Sequence, residues 1–161
     1  MEIIPLEYIA GLFDGEGWVS ITRHKPYVKY GQKSIVYTAR VGIESTDTEL
    51  LEQLQAQVGG SLHKRKNKRA ENRKITHVWY VDGSKAVPLM SNIYPFLRTK
   101  KKQVEVLFKY VGHATAYREK NKRRSTPMDK ETLAFREECV QEIRKLNGFQ
   151  ASRLSLTSEV S

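Results

Sequence analysis

The chain has 161 residues, with 28 lysines and arginines against 18 aspartates and glutamates, a formal charge of +10 at neutral pH. That length accommodates one compact domain with a real core, no apolar run approaches the roughly 18 residues of a bilayer span, and the single Cys139 excludes an internal disulfide and fits a reducing compartment. A chain this basic selects a polyanion as its partner.

The opening residues, MEIIPLEYIAGLFDGEG, lack a basic n-region and transit-peptide character and read as mature protein. Pro5 suits the first position of a helix over LEYIAGLFD, which GEG stops. Residues 18–25 and 33–43 read as strands. In the second, Ile35, Tyr37, Ala39, Val41 and Ile43 alternate with Ser34, Val36, Thr38, Arg40 and Gly42, which makes one face apolar and the other mostly polar. Thr46 and Glu49 form a capping-box pattern ahead of LLEQLQAQV, and Gly59-Gly60 ends that helix. Strands over about 61–66 and 75–82 flank the loop NKRAENRK. A helix opens at Ser84 and closes at Pro95, and a longer one from about 101 carries Val104, Leu107, Phe108 and Val111 at helical spacing. A charged linker, EKNKRRSTP, precedes a last helix over about 129–147, and the tail 151–161 has too little apolar content to order itself. The order α-β-β-α-β-β-α, followed by a separate C-terminal helix, predicts an α+β fold in one domain over 1–150. Helices back one face of an antiparallel sheet and leave the other free.

YIAGLFDGEGW, residues 8–18, is the most informative segment. Ala10 and Gly11 are small where bulk would help a core, so they mark a close approach of another backbone. Asp14 and Glu16 sit at a helix C-terminus, where the macrodipole already presents negative charge, and call for a compensating cation. Gly15 and Gly17 let the chain turn sharply and leave the Gly15 carbonyl free as a further oxygen ligand. Carboxylates with a carbonyl oxygen suit Mg²⁺. Dinucleotide spacing and a phosphate-loop lysine are both lacking, and an EF-hand opened at Asp14 would place Lys25 where an acid is required.

IAGLFDGEG resembles the signature of the LAGLIDADG homing endonucleases, with Glu in place of the final Asp, and it occurs once. PFLRTKKKQ, residues 95–103, is similar to the stretch where members of that family carry a basic active-site residue, at the position of Lys100. The resemblance implies a saddle-like antiparallel sheet and a homodimer whose motif helices meet through Ala10, Gly11, Phe13 and Asp14. It implies site-specific hydrolysis of both strands of double-stranded DNA at a long pseudo-palindromic site, leaving short 3′ overhangs. Glu16 and the Gly15 carbonyl would hold Mg²⁺, with Mn²⁺ as a substitute, Glu16 and Lys100 would be catalytic, and Asp14 would be a structural residue at the end of the motif helix rather than a metal ligand. Glu44, at the end of the second strand, is the weak candidate for a water-ordering residue. The family also contains intron RNA maturases, so a non-cleaving nucleic-acid binder is the alternative. The resemblance suits an intron-encoded protein made inside an organelle (chloroplast or mitochondrion) or a prokaryotic cytoplasm, with no membrane partner.

The polar strand face would meet the major groove. Ser34, Thr38 and Arg40 are base-edge candidates, and His77 suits base contact or sheet packing equally. In the basic hairpin, Lys64, Arg65, Lys66, Lys68, Arg69 and Arg73 are phosphate or base contacts, and parity between Lys64/Lys66 and His63/Arg65 stays open. Arg98 and Lys102 flank Lys100 as further DNA contacts, and the linker cluster from Arg118 to Arg124 suits backbone phosphates. Trp18 reads as packing. His24 and His113 have no partner at zinc-ligand spacing.

Overall fold

The structure is a computed structural model that describes residues 2–65, 75–122 and 127–148. Lys66, Lys68, Arg69 and Arg73 lie outside the described residues, as do Arg123, Arg124 and the tail. The elements are α1 (Leu6–Glu16), β1 (Gly17–His24), β2 (Val36–Ser45), α2 (Thr48–Val58), β3 (Ser61–Lys64), β4 (His77–Asp82), α3 (Val87–Ile93), α4 (Lys101–Lys120) and α5 (Lys130–Leu146). The strands form one antiparallel sheet in the order β1-β2-β4-β3.

Helix α1 starts one residue later than expected and ends later too. Pro5 is its N-cap, whose carbonyl accepts the Ile9 N–H at 3.1 Å. The helix continues through Gly15 to Glu16, because the chain first becomes extended at Gly17 and enters β1 there without a loop. Gly17 is required at this junction: a Cβ would sit 2.4 Å from the Phe13 ring and 2.5 Å from the Phe13 carbonyl.

The cap of α2 also differs from the expected capping box. Asp47, not Thr46, accepts the Leu50 N–H, at 3.0 Å, and Ser45 accepts the Asp47 N–H. An aspartate one residue nearer the helix, already charged against the dipole, outcompetes a threonine. At the other end, Gly60 has φ +96°, and any Cβ there would press on Trp79 and Val81. Trp79 is fully buried, and its indole N–H donates to the Gly59 carbonyl at 2.8 Å, the partner a buried tryptophan needs.

The alternation in β2 sorts its faces as expected from Ala39 onward: Ala39, Val41 and Ile43 are buried with Val19, Ile21, Trp79 and Val81 beneath the helices. Ile35 departs from it, being 41% exposed, because the strand begins only at Val36.

The last helix is not a separate appendage. Cys139, Val140 and Ile143 of α5 are buried in the common core, each of the aliphatic pair contributing about 1.5–3 kcal/mol. Asn147 donates to the Val19 carbonyl at 3.0 Å, and Asp129 caps the start of α5 by accepting from Thr132.

Candidate functional site

Two regions gather the sequence-derived candidates: the C-terminal end of α1 and the open face of the sheet. At the first, α1 has two unlike sides. Ala10 and Phe13 are fully buried in the chain's own core, so neither is free to contact a second copy. Adjacent helical residues point about 100° apart, so Ala10 faces the sheet while Gly11 faces solvent. The exposed stripe runs through Tyr8, Gly11 and Gly15, with Leu12 half-buried beside it, and Tyr8 is 56% exposed. A Cβ at Gly11 or Gly15 would meet nothing within 4 Å among the described residues. The helical spacing of Tyr8, Gly11, Leu12 and Gly15 was the available signal for this face.

Asp14 points the other way. Its carboxylate accepts the backbone N–H groups of Arg98, Thr99 and Lys100 at 2.7, 3.1 and 3.0 Å, and the Thr99 hydroxyl at 3.0 Å. These are the free donors ahead of α4, which has no cap of its own. Burial pushes the Asp14 carboxyl up, but the N–H donors of Arg98, Lys100 and Thr99 together outweigh it and hold the group below 3.8. A depressed carboxylate contributes stability that is present above its unfolded value and lost as pH falls through the lower folded value. Asp14→Ala is therefore expected to destabilise the chain by about 0.5–2 kcal/mol near neutrality. In urea unfolding, the gap to wild type should narrow as pH falls below the ordinary carboxylate range.

Lys100 supplies the compensating cation: its ammonium donates to the Asp14 carbonyl at 2.6 Å, at the negative end of α1. Glu16, two residues on, is exposed and has no ion pair or hydrogen bond among the described residues. Arg98 and Lys102 are exposed on either side of Lys100. Among the described residues no three His, Cys, Asp or Glu side chains converge as a metal cluster. The oxygen donors at this helix end, an unpaired carboxylate and the neighbouring Gly15 carbonyl, are hard ligands that fit a divalent cation completed by a second set of donors.

On the open face, register places Trp18, Ser20 and Thr22 of β1 beside Gly42, Arg40 and Thr38 of β2. Arg40, Gly42 and Glu44 lie opposite Asp82, Tyr80 and Val78 of β4. Trp18 lies on this face: Gly42 makes room for it, since a Cβ there would be 2.3 Å from the indole. Arg40 donates from Nε to Asp82 at 2.5 Å, with its guanidinium 4.1 Å from the centre of the Tyr80 ring. Among the described residues nothing else bonds the ends of its fork.

Pairing of β3 with β4 settles the parity: His63 and Arg65 face outward, whereas Lys64 shares the helix side with Leu62 and Trp79. His63 stacks on Tyr80 at 5.5 Å, and Arg65 pairs with Glu44, which also accepts the Thr76 hydroxyl at 3.2 Å. Three sequence-derived DNA candidates are therefore displaced from the open face. Lys64 is on the wrong parity. His77 is on the helix side and bonds Thr48 of α2 at 3.0 Å. Ser34 precedes β2, and its hydroxyl accepts the Met128 N–H at 2.7 Å. Tyr80, the platform for both Arg40 and His63, escaped the sequence reading because its contacts cross two strands.

The architecture is thus an α+β domain with one helix-covered sheet face, one open face of polar and aromatic side chains, and an exposed acid, unpartnered among the described residues, at the end of α1. Residues 9–111 match the family model described as LAGLIDADG endonuclease, and the chain belongs to that family. No curated protein matches the chain. Among solved structures, the homing endonuclease I-CvuI in complex with its target aligns with a TM-score of 0.68 at 15% identity, over 91% of this chain and 83% of that one. The homing endonuclease I-TnaI aligns with a TM-score of 0.66 at 17% identity, over 98% of both chains. I-SmaMI bound to uncleaved DNA target in the presence of calcium ions aligns with 0.66 at 16% identity, over 88% of this chain and 45% of that one. At these identities the likeness carries the fold, here the homing endonuclease fold.

Proposed function

We propose that two copies of this chain pair through the exposed stripe of α1, and that the pair is a site-specific endonuclease for double-stranded DNA, using Mg²⁺ or Mn²⁺ and leaving short 3′ overhangs. The observation that carries this reading is the coincidence on one helix of an exposed small-residue stripe, Gly11 and Gly15, and an unpaired exposed Glu16 at its end. A helix meeting its two-fold mate along such a stripe lets backbones approach closely and brings both Glu16 side chains together. Coverage supports the pairing: the chain spans nearly all of I-TnaI and under half of I-SmaMI.

Two like charges that close repel one another. A divalent cation, when bound, neutralises them, polarises the scissile phosphate and lowers the pKa of attacking water. Each Glu16 carboxylate and Gly15 carbonyl would hold that cation. Lys100 keeps the end of α1 in place through the Asp14 carbonyl and adds positive charge beside the phosphate. On the open face, Arg40 offers the free ends of its fork to a guanine edge, Thr38 lies two residues from it on the same face, and His63 and Arg65 extend the surface along β3. Pairing doubles the charge of +10 to +20, and the expected host is an organelle or prokaryotic genome carrying the gene in an intron.

The test is to incubate the purified chain with plasmid carrying the joined sequences that flank its coding region. Linear product with Mg²⁺ and none with EDTA is expected. Intact plasmid in both, or cutting that EDTA leaves unchanged, overturns the reading.

A further inference from the structure

A second site lies away from Glu16, between the start of β2, the C-terminal half of α4, and α5. There a cavity of about 310 Å³ is lined by Lys33, Tyr37, Tyr110, Tyr117, Arg118 and Arg136, among others, and among the described residues no acid lines it. The volume is at the lower bound of ligand pockets, about 300 Å³. Register places it far from α1: Gly17, next to Glu16, pairs with Ile43, whereas the cavity begins at Val36 and Tyr37, roughly 20 Å along the strand.

Arg136 is the anomaly. It is only 9% exposed, and its Nε has no hydrogen-bond partner among the described residues. Its guanidinium lies 5.3 Å from the Tyr117 ring centre, 5.8 Å from that of Tyr110 and 6.0 Å from that of Tyr37. Those separations approach the roughly 6 Å limit of cation–π attraction, and ring faces accept no strong N–H bond. The adjacent carboxylate, Glu137, is engaged elsewhere: it takes Arg23 at 2.6 Å, the Tyr37 hydroxyl at 3.2 Å and Gln141 at 3.2 Å. A guanidinium stays charged at any physiological pH and carries five donors in a planar fork. Buried charge without an acceptor is costly, so the natural complement is an oxyanion that enters the cavity. Lys33 and Arg118, both exposed, reinforce the positive sign at its rim.

We propose that this cavity is a phosphate-binding site, with Arg136 as its buried fork and Lys33 and Arg118 at its mouth. The phosphate is supplied either by a free phosphate ion or by the backbone of bound DNA. The site does not involve Glu16, the metal or the α1 stripe, so it stands or falls separately from cleavage.

The experiment follows the Arg136 Nε–H resonance of the wild-type chain while inorganic phosphate, and separately a random-sequence duplex, is added at matched ionic strength. The Arg136→Met variant then serves as control in calorimetry with phosphate and in DNA binding across a salt series. If free phosphate is the ligand, it moves the resonance, and its affinity falls about 10- to 100-fold in Arg136→Met. If DNA supplies it, the duplex moves the resonance, and Arg136→Met lowers the slope of log K against log salt by about one. A resonance that neither addition moves overturns the proposal, and that measurement does not depend on any variant folding. Equal phosphate affinity with an unchanged salt slope in a folded Arg136→Met also overturns it.

Discussion

Glu16→Gln is expected to abolish cleavage of both strands while leaving DNA affinity within a few-fold of wild type. The substitution preserves size and hydrogen-bonding reach and removes only the charge. Glu16 is the last residue of α1, is exposed and has no partner among the described residues, so the fold loses nothing by its neutralisation. What is lost, on the proposed function, is an anionic oxygen ligand for the cation. Metal-centred charge stabilisation is worth several kcal/mol, and each 1.4 kcal/mol is about tenfold in rate, so the rate should fall by roughly 10³-fold or more. Removing one negative charge from a surface facing phosphates should, if anything, tighten binding. Plasmid cleavage and gel-shift titration on the same preparation separate the two effects. Undiminished cutting by Glu16→Gln would remove Glu16 from the chemistry, and loss of binding in parallel would reassign it to DNA contact.

The sheet was legible because strand alternation is local: Ala39, Val41 and Ile43 face the core two residues apart, and Arg40 between them faces the other side. Helix faces were less so. Ala10 and Gly11 are both small, and only their angular separation on the helix distinguishes the core residue from the surface one. Read on a 3.6-residue period, Tyr8, Gly11, Leu12 and Gly15 make one stripe, and Ala10 and Phe13, three apart, make the opposite one. That Asp14 is structural was legible from its place at the helix end, but its partners were not, since they are 84 to 86 positions away and are backbone groups with no residue-type signature. Strand parity beyond a charged loop was equally out of reach, because the loop length does not determine whether Lys64 or Arg65 faces the open side of the sheet.

Gly11→Leu is expected to convert a dimer into a stable, inactive monomer. Among the described residues of one chain the site is open: a Cβ at Gly11 meets nothing within 4 Å, and the residue is an exposed interior position of α1. Replacing glycine there with a good helix former should raise the stability of the isolated chain by about 0.5–1 kcal/mol. Against a second α1 the same side chain holds the backbones apart, so the two Glu16 side chains no longer reach a shared cation. Sedimentation should therefore show the wild type as a dimer and Gly11→Leu as a monomer. Thermal unfolding should show no destabilisation of the variant chain, and plasmid cleavage should vanish. A control comes from the buried side of the helix. Phe13→Ala removes a fully buried ring and should cost about 3–5 kcal/mol of chain stability, with any loss of pairing following from unfolding. The two variants thus separate pairing from folding on opposite faces of one helix. A Gly11→Leu chain that sediments as wild type and still cuts would place the dimer contact elsewhere.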